Sequence, residues 1–343
     1  MLEVTTGSRL HFGLLELAAG QPHRYGGLGL MLATPGWQIR FSRDSRTKKP
    51  VHANPEVVER VEQVRRRFAG LNCDISNIAI EVTRSLPLHS GLGSGTQLAA
   101  AVAAGLHQYL QRELAEPPSS ELNASPLTLE RLIQLSGRGK RSGIGLYGFL
   151  NGGLILDKGF PAGFDEPSTT PKLSPRPLEA SASQLNPDWR IVLVIPGGSP
   201  AVTGGYESSL MELASRHSNP HRQRMFDLAQ RAMQLSHSIS GFDEFTATVD
   251  EYLQFAGQLF SICQAGNYNG EAVRKAVELA KQAGLRAVGQ SSWGPAVFGF
   301  MPDELSANNM ARTLTELMSK ETWSIQVVMP ALQGASWNWI SQG

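Results

Sequence analysis

The sequence lacks most of the features that mark secreted, membrane-spanning or nucleic-acid-binding proteins. Its 343 residues include only two cysteines, Cys73 and Cys263, which excludes a disulfide scaffold and favours reduced, packed thiols in a cytoplasmic protein. The formal net charge is +1, so no global charge points to nucleic acid or a membrane surface. No apolar run approaches the roughly 20 residues that a transmembrane helix needs. Because Met1–Thr6 has no basic segment, we expect no secretory signal.

The remaining composition is that of an ordinary globular protein. Hydrophobic residues make up 41% of the chain and charged residues 18%, which is enough apolar material for a large core in two domains. Phe160–Asp188 contains six prolines with many Ser and Thr residues, and it is either a surface insertion or an interdomain connection. We therefore predict one domain over 1–160, a connection over 161–188 and a second domain over 189–343.

A glycine-rich stretch, Leu86–Gln97, lies between a predicted strand and a predicted helix. Apolar and polar residues alternate over Asn77–Val82, and Leu98–Leu114 is rich in Ala and Leu. Glycines allow close backbone approach, and the free N–H groups at a helix N-terminus favour an anion, above all a phosphate. A tight turn before a small-residue helix has a similar pattern. The phosphate-binding candidates are Gly91, Gly93, Ser94, Gly95, Thr96 and Gln97.

Two cationic side chains are predicted to share one face of the first strand. Ser8–Leu15 alternates, so that Arg9 and His11 project together. A guanidinium beside an imidazole suits a phosphate or a carboxylate, although a solvated strand face has the same pattern. Further along, a glycine-rich turn follows Arg24 and either brings this residue near a ligand or forms a simple hairpin.

A second stretch, Gln134–Gly145, interleaves cations with glycine and serine, a good anion site on physical grounds. Its candidates are Arg138, Lys140, Arg141 and Ser142. The basic runs at 40–49 and 65–67 are instead predicted to be solvated surface. A third stretch, Gly289–Phe300, surrounds Trp293 with small residues, and this side chain is either a core anchor or an aromatic platform at the site.

The glycine-rich stretch resembles the Pro-x-x-x-Gly-Leu-Gly-Ser-Ser motif of the GHMP superfamily, with Gly95 in place of the second Ser. It lacks the Lys of a Walker A loop and fits a Rossmann turn poorly. The resemblance extends over nearly the whole chain. It implies an α+β, two-domain GHMP-kinase-like fold, with a ribosomal protein S5 domain 2-like N-terminal half and a ferredoxin-like α/β C-terminal half.

The sequence departs from the GHMP kinases at two carboxylates. Where those kinases have a catalytic Asp this chain has Gly145, and where they have a Mg²⁺-binding Glu it has Gln134. Phosphoryl transfer depends on positioning and on metal-assisted charge neutralisation. We therefore expect a protein that binds a phosphorylated substrate and does not transfer phosphate from ATP.

Four strings together resemble the β-ribofuranosylaminobenzene 5′-phosphate synthase family: Ser8–Gly13, Gly91–Gln97, Arg138–Gly145 and Gly289–Pro295. The resemblance implies a Mg²⁺-dependent, cytoplasmic, homodimeric glycosyltransferase. Such an enzyme condenses phosphoribosyl pyrophosphate with 4-aminobenzoate and releases CO₂ and pyrophosphate, towards tetrahydromethanopterin. It acts on small molecules only, with no nucleic acid or membrane partner. The alternatives are a GHMP kinase that uses ATP with a different base, and a non-catalytic phosphosugar-binding protein of this fold.

This chemistry suggests roles for the candidate residues. The glycine-rich stretch with Arg138, Lys140 and Arg141 would stabilise the departing pyrophosphate. Arg9 or His11 would hold the acceptor carboxylate. Arg24, Ser142 and Trp293 are further binding candidates, and the sequence identifies no metal ligands.

Overall fold

The structure is a computed structural model that describes residues 1–18, 20–43, 50–71, 74–113, 126–161, 180–197, 204–264, 266–320 and 322–341. Cys73, part of the basic run at 40–49 and most of the predicted connection lie outside these residues. The described helices are α1 (Pro55–Gly70), α2 (Ser94–Glu113), α3 (Leu129–Ser136), α4 (Ile144–Asn151), α5 (Gly204–Ala214), α6 (Arg222–Leu235), α7 (Phe242–Gln264), α8 (Glu271–Gln282) and α9 (Glu304–Leu317). The described strands are β1 (Leu2–Glu16), β2 (His23–Arg43), β3 (Ile78–Arg84), β4 (Leu154–Asp157), β5 (Phe160–Pro161), β6 (Ala180–Ser183), β7 (Arg190–Ile195), β8 (Arg286–Gln290), β9 (Val297–Met301), β10 (Ser324–Val328) and β11 (Ser336–Trp339).

The first sheet is an antiparallel sheet built on the long hairpin of β1 and β2. Its order is β11-β1-β2-β4-β6, and β3 and β5 also pair with β2. Helix α1 packs against α2 and α3 and buries an apolar stripe, Val57, Val61, Val64 and Phe68, at helical spacing. The alanine-rich middle of α2, Ala99–Ala104, is fully or almost fully buried. Small side chains therefore bring α2, and the glycine-rich stretch before it, close to the sheet.

The second sheet is antiparallel, has the order β10-β7-β9-β8 and packs against α8 and α9. Its apolar residues continue into the first half, because Phe12 of β1 stacks on Phe298 of β9 with ring centroids 4.9 Å apart. Helix α7 links both halves, since the Tyr252 hydroxyl donates to the Gly13 carbonyl at 2.9 Å and accepts from the Leu28 N–H at 3.1 Å. β1, α7 and the segment after β8 thus meet along one line, where the candidate site lies.

The mixed helix-and-sheet architecture confirms the predicted fold class. The C-terminal strand β11 returns to pair with β1, so the last residues of the chain complete the first sheet. The domain boundaries at 160 and 188 stay predictions. Within the described residues, no helix is both long and apolar enough to cross a membrane.

Candidate functional site

A cleft of about 800 Å³, including its open mouth, lies where β1, α5, α7 and the segment after β8 meet. One part of its wall is polar and cationic, and another is apolar and aromatic. The polar wall includes Arg9, His11, Arg141, Ser142 and Glu207, and the aromatic wall includes Trp293. The structure therefore brings together five of the predicted site residues and adds one carboxylate, Glu207, that the sequence did not indicate.

Arg9 lies beneath the glycine-rich stretch and connects it to the cleft. Its backbone N–H donates to the Leu92 carbonyl at 3.0 Å, and its Nη1 donates to the Gly91 carbonyl at 3.3 Å. A Cβ added at Gly93 would lie 2.5 Å from the Arg9 Cγ, and φ at Gly93 is +71°. Burial lowers the pKa of Arg9 to about 10, which leaves the guanidinium charged at neutral pH. Arg9 is thus a fixed cation at the cleft.

His11 is held in one neutral tautomer by its hydrogen bonds. The Gly13 N–H donates to Nδ1 at 3.2 Å, so the ring proton resides on Nε2 and is donated to Ser142 Oγ at 3.2 Å. Burial, and then the charge of Arg9, lowers the pKa of His11 well below its usual value of 6.5. Ser142 Oγ also accepts from the Ile144 N–H at 3.3 Å. Because this oxygen accepts twice, its own proton is available to a ligand in the cleft.

An ion pair closes one side of the cleft. Arg141 Nη1 donates to Glu207 Oε1 at 3.0 Å, and its Nη2 donates to Ser208 Oγ at 3.3 Å. Glu207 is the only carboxylate among the described residues that line the cleft. It belongs to the first turn of α5, whose sequence gives no sign that it reaches residues from the first half of the chain. Lys140, next to Arg141, is exposed and does not line the cleft.

The apolar wall is centred on an aromatic pair. Trp293 packs edge-on against Phe260, with centroids 4.9 Å apart and planes at 72°. Trp293 is 9% exposed, belongs to a buried cluster with Leu14 and Met211, and also lines the cleft. The two alternatives for this residue are therefore compatible, because one face of the side chain packs in the core while the residue forms part of the wall. Such a wall suits a flat aromatic ligand.

The glycines of the glycine-rich stretch lie against protein groups. A Cβ at Gly91 would lie 2.6 Å from the Ser291 carbonyl oxygen, and one at Gly95 would clash with Arg60 Nη1. The Arg9 side chain lies in the same way against Gly93, so each of these three glycines is in close contact with a protein group. The sequence predicts close approach of a ligand at these glycines, and in the structure arginine and backbone atoms lie against the same positions.

The first turn of α2 contains the other candidates from this stretch. Ser94 is buried, and its carbonyl accepts from Trp37 Nε1 at 3.0 Å. Thr96 is partly buried. Gln97 is fully buried: it accepts from Thr6 Oγ1 at 2.8 Å and donates to the Gly145 carbonyl at 2.7 Å. This amide connects α2 to β1 and α4, which is the geometry of a positioning residue.

Gly145 stands where the GHMP kinases have a catalytic Asp. A Cβ at Gly145 would already lie 3.0 Å from Thr96 Cγ2, so the position has little room for the carboxylate that kinases carry.

Arg24 turns away from the cleft. It donates to the Leu17 carbonyl at 2.9 Å and lies 4.7 Å from the ring centroid of Tyr25. Its hairpin alternative therefore agrees with the geometry, and the structure does not bring Arg24 together with the other candidates.

Arg138 lies on the other side of the α2 N-terminus, outside the cleft. Burial and then the like charges of Arg60 and Arg67 lower its pKa, while Glu207 acts in the opposite direction. Arg67 is exposed, as predicted for the basic run at 65–67, and its guanidinium also lies against Gly137. The neighbouring Arg66 faces solvent, where it pairs with Glu59 at 2.6 Å.

The described residues contain no group of three or more His, Cys, Asp or Glu side chains placed to hold a metal ion. Mg²⁺ in phosphate-processing sites is often held by one or two carboxylates together with substrate phosphates. Glu207, facing the cleft, fits that kind of donor set. A fully protein-built magnesium cage does not fit these residues.

Two family models match the chain, one in each half. The GHMP kinases N terminal domain matches residues 56–153, and the GHMP kinases C terminal domain matches residues 223–320. The chain belongs to the GHMP kinase superfamily. The first match contains the glycine-rich stretch and the basic stretch, and the second contains α7 and the segment around Trp293.

Two relatives support a narrower resemblance. The chain is 26% identical to a beta-ribofuranosylphenol 5′-phosphate synthase of Archaeoglobus fulgidus over 334 residues, which cover 96% of each protein. It is also 26% identical to a protein of the same name from Methanothermobacter thermautotrophicus, over 92% of this chain and 93% of that one. The predicted resemblance to ribofuranosyl 5′-phosphate synthases is confirmed.

The fold is also that of solved GHMP kinases. Homoserine kinase from Cytophaga hutchinsonii superposes with a TM-score of 0.62 at 13% identity, covering 98% of this chain and 97% of the kinase. The likeness at this identity concerns the fold alone. It confirms the two-domain GHMP-kinase-like architecture that the motifs imply.

Proposed function

We propose that this protein transfers the phosphoribosyl group of phosphoribosyl pyrophosphate to a para-substituted benzoate, with release of CO₂ and pyrophosphate. The observation that carries this proposal is the cleft, in which an aromatic wall faces a buried cation. Arg9 has no carboxylate hydrogen-bonded to it among the described residues. A benzoate supplies both a flat ring for the wall and a carboxylate for the cation.

The reaction balances without a strong base. The bond from the ribose anomeric carbon to the pyrophosphate oxygen breaks, and pyrophosphate leaves with the electron pair. The ring carbon that bears the carboxylate forms a bond to the anomeric carbon, using an electron pair of the arene. The carbon–carboxylate bond then breaks, CO₂ leaves, and its bonding electrons restore the aromatic ring. The glycine at position 145 is compatible with this route, which requires no catalytic Asp there.

The cleft residues supply three functions. Arg9 pairs with the acceptor carboxylate, and the hydroxyl of Ser142, oriented by neutral His11, donates a second hydrogen bond to it. Trp293 and Phe260 hold the ring and exclude water. Arg141, held by Glu207, adds positive charge at the edge of the cleft, and preorganised charge of this kind lowers the barrier as the pyrophosphate leaves. A Mg²⁺ ion, when bound, would screen the pyrophosphate charge, with Glu207 as the protein carboxylate that fits it.

The acceptor is either 4-aminobenzoate or the closely related 4-hydroxybenzoate. The motifs resemble a family that uses 4-aminobenzoate, whereas the relatives are named for a ribofuranosylphenol product. Both acids present the same carboxylate and ring to the cleft and differ only at the para position. We propose 4-aminobenzoate as the acceptor, in a cytoplasmic homodimer on the route to tetrahydromethanopterin.

The deciding experiment is incubation with phosphoribosyl pyrophosphate, Mg²⁺ and carboxyl-labelled acceptor, scored for labelled CO₂. Parallel reactions with 4-aminobenzoate and 4-hydroxybenzoate identify the acceptor, and the 4-amino acid should react faster. Transfer of phosphate from ATP to a small alcohol would instead establish the kinase alternative. Binding of phosphoribosyl pyrophosphate with no turnover of either acid would establish the non-catalytic one.

A further inference from the structure

Gly95 creates space for an arginine at the start of α2. Arg60 comes from α1, and its side chain is only 20% exposed. Its Nε and Nη2 donate to Glu56 Oε1 at 3.2 and 2.8 Å, while its Nη1 lies directly over Gly95. Any side chain at position 95 would displace this guanidinium. The glycine that replaces the second Ser of the kinase motif is therefore matched by a cation in the space that the serine would fill.

Two more guanidiniums converge on the same place. A Cβ at Gly95 would lie 3.6 Å from Arg138 Nη2, and the Arg67 guanidinium lies against Gly137, one residue before Arg138. Among the described residues, neither Arg67 nor Arg138 forms an ion pair or a side-chain hydrogen bond with a carboxylate. We call Arg60, Arg67 and Arg138 the arginine cluster.

The arginine cluster holds more positive charge than its surroundings balance. Glu56 is the carboxylate bonded to it, and this side chain also bonds to His89 Nε2 at 2.7 Å. Of the three described arginines, only Arg60 is bonded to this carboxylate. Burial, and then the like charges of Arg60 and Arg67, lower the pKa of Arg138. The guanidiniums therefore repel one another at a cost in stability that Glu207 offsets only in part. An anionic ligand would remove that cost. The arginine cluster lies beside the N-terminus of α2, which favours an anion.

We propose that the arginine cluster binds the pyrophosphate group of the donor, with Gly95 required to seat Arg60. This inference rests on the proposed function for the identity of the donor. Pyrophosphate fits better than a sugar 5-phosphate for two reasons. It carries more negative charge, and its two phosphate groups offer enough oxygens for three forked guanidiniums at once.

The test is calorimetric binding of inorganic pyrophosphate to the full-length protein, with ribose 5-phosphate as a parallel probe. Arg60→Ala and Arg67→Ala should each weaken pyrophosphate binding about tenfold or more, as expected for loss of a charged hydrogen bond. Arg66→Ala, one residue away on the solvent side of α1, should leave it within about twofold. Arg60→Lys should lie between Arg60→Ala and the unchanged protein, because it retains the charge and loses the fork.

Gly95→Ser introduces the residue of the kinase motif and tests whether Arg60 needs the space beside Gly95. It should weaken pyrophosphate binding about as much as Arg60→Ala, and the double variant should be no weaker than either single one. Thermal melting of each variant identifies any that fails to fold.

Two results overturn the inference. One is pyrophosphate affinity that stays within about twofold of wild type in folded Gly95→Ser and Arg60→Ala. The other is a set of cluster variants that lose affinity for ribose 5-phosphate and keep their affinity for pyrophosphate. If CO₂ release is absent while pyrophosphate binding follows the expected pattern, the proposed function fails and the pyrophosphate site stands.

Discussion

The two sides of the glycine-rich stretch differ in how they treat positive charge. On the cleft side, Arg9 is set among aromatic residues and a neutral histidine, and Arg141 is paired with Glu207. On the α1 side, only Arg60 of the arginine cluster is bonded to a described carboxylate, that of Glu56. A site with one fixed cation and an apolar wall selects a specific small organic anion, whereas a site of several forked cations selects a highly charged phosphate group.

Under the proposed function, this difference would place the two reactants on two sides of one loop. Gly93 is in contact with Arg9, and Gly95 with Arg60, only two residues further along. Donor and acceptor would therefore meet across the first turn of α2, where the anomeric carbon must lie. Glu207 acts on the charges of both Arg9 and Arg138, so the two sides are close enough to influence one another.

The largest effect that would sharpen this comparison is expected from Arg9→Ala. Removing a buried cation that pairs with a substrate carboxylate typically costs about 4 kcal/mol, or roughly a thousandfold in kcat/KM for the acceptor. Pyrophosphate affinity, measured by calorimetry, should stay close to that of wild type. If both affinities fell together, the separation into an acceptor side and a donor side would be wrong. Arg9→Lys provides a folded variant that keeps the charge.

A smaller effect is expected from the pair His11 and Ser142. Ser142→Ala removes one hydrogen bond to a charged group, worth about 1.5 kcal/mol or roughly tenfold in kcat/KM for the acceptor. His11→Asn retains an acceptor for the Gly13 N–H and loses the donor to Ser142, so it should resemble Ser142→Ala. His11→Gln places an amide N–H near the former Nε2 and should restore part of the rate.

The control for this pair is the double variant. On the proposal that His11 acts through Ser142, His11→Asn combined with Ser142→Ala should be no slower than Ser142→Ala alone. Additive losses would show that His11 contacts the acceptor itself. Equal losses in His11→Gln and His11→Asn would show that the orientation of the Ser142 hydroxyl is unimportant.

Regular elements were predictable because their patterns are local. The apolar spacing of α1 and the apolar run within β7 are both visible in the sequence, and each matches the element that forms there. Helix α2 begins at Ser94, four residues before the predicted start, because the Thr96 and Gln97 N–H groups already bond to the Gly93 carbonyl. Glycine and serine at a helix start conceal the first turn from a pattern of Ala and Leu.

The arginine cluster and Glu207 were not predictable from local pattern. Arg65, Arg66 and Arg67 form one charge run in sequence, yet only Arg67 faces Gly137. The available signal was the helical period: Arg60 and Arg67 are seven residues apart, two turns of one face, whereas Arg66 is turned away by about 100°. Glu207 reaches Arg141 only through packing of the two halves, which no local pattern encodes.

The smallest expected effect is on the pH dependence of stability, and it separates a neutral His11 from a cationic one. The unfolded chain protonates this ring near its usual pKa of 6.5, whereas burial and Arg9 lower the pKa of His11 in the folded protein. Below pH 6.5 the unfolded state therefore binds more protons, and the free energy of unfolding falls as the pH falls. Arg9 opposes protonation of the ring, and the other described charged side chains that line the cleft with His11 are Arg141 and Glu207. The difference between wild type and His11→Gln in denaturant titrations isolates this contribution from the other histidines. The difference in the free energy of unfolding between the two proteins should become smaller as the pH falls, because wild type loses more stability. A difference that widens in favour of wild type would mean that His11 is protonated in the folded protein, and the cleft would then hold a second cation for the acceptor.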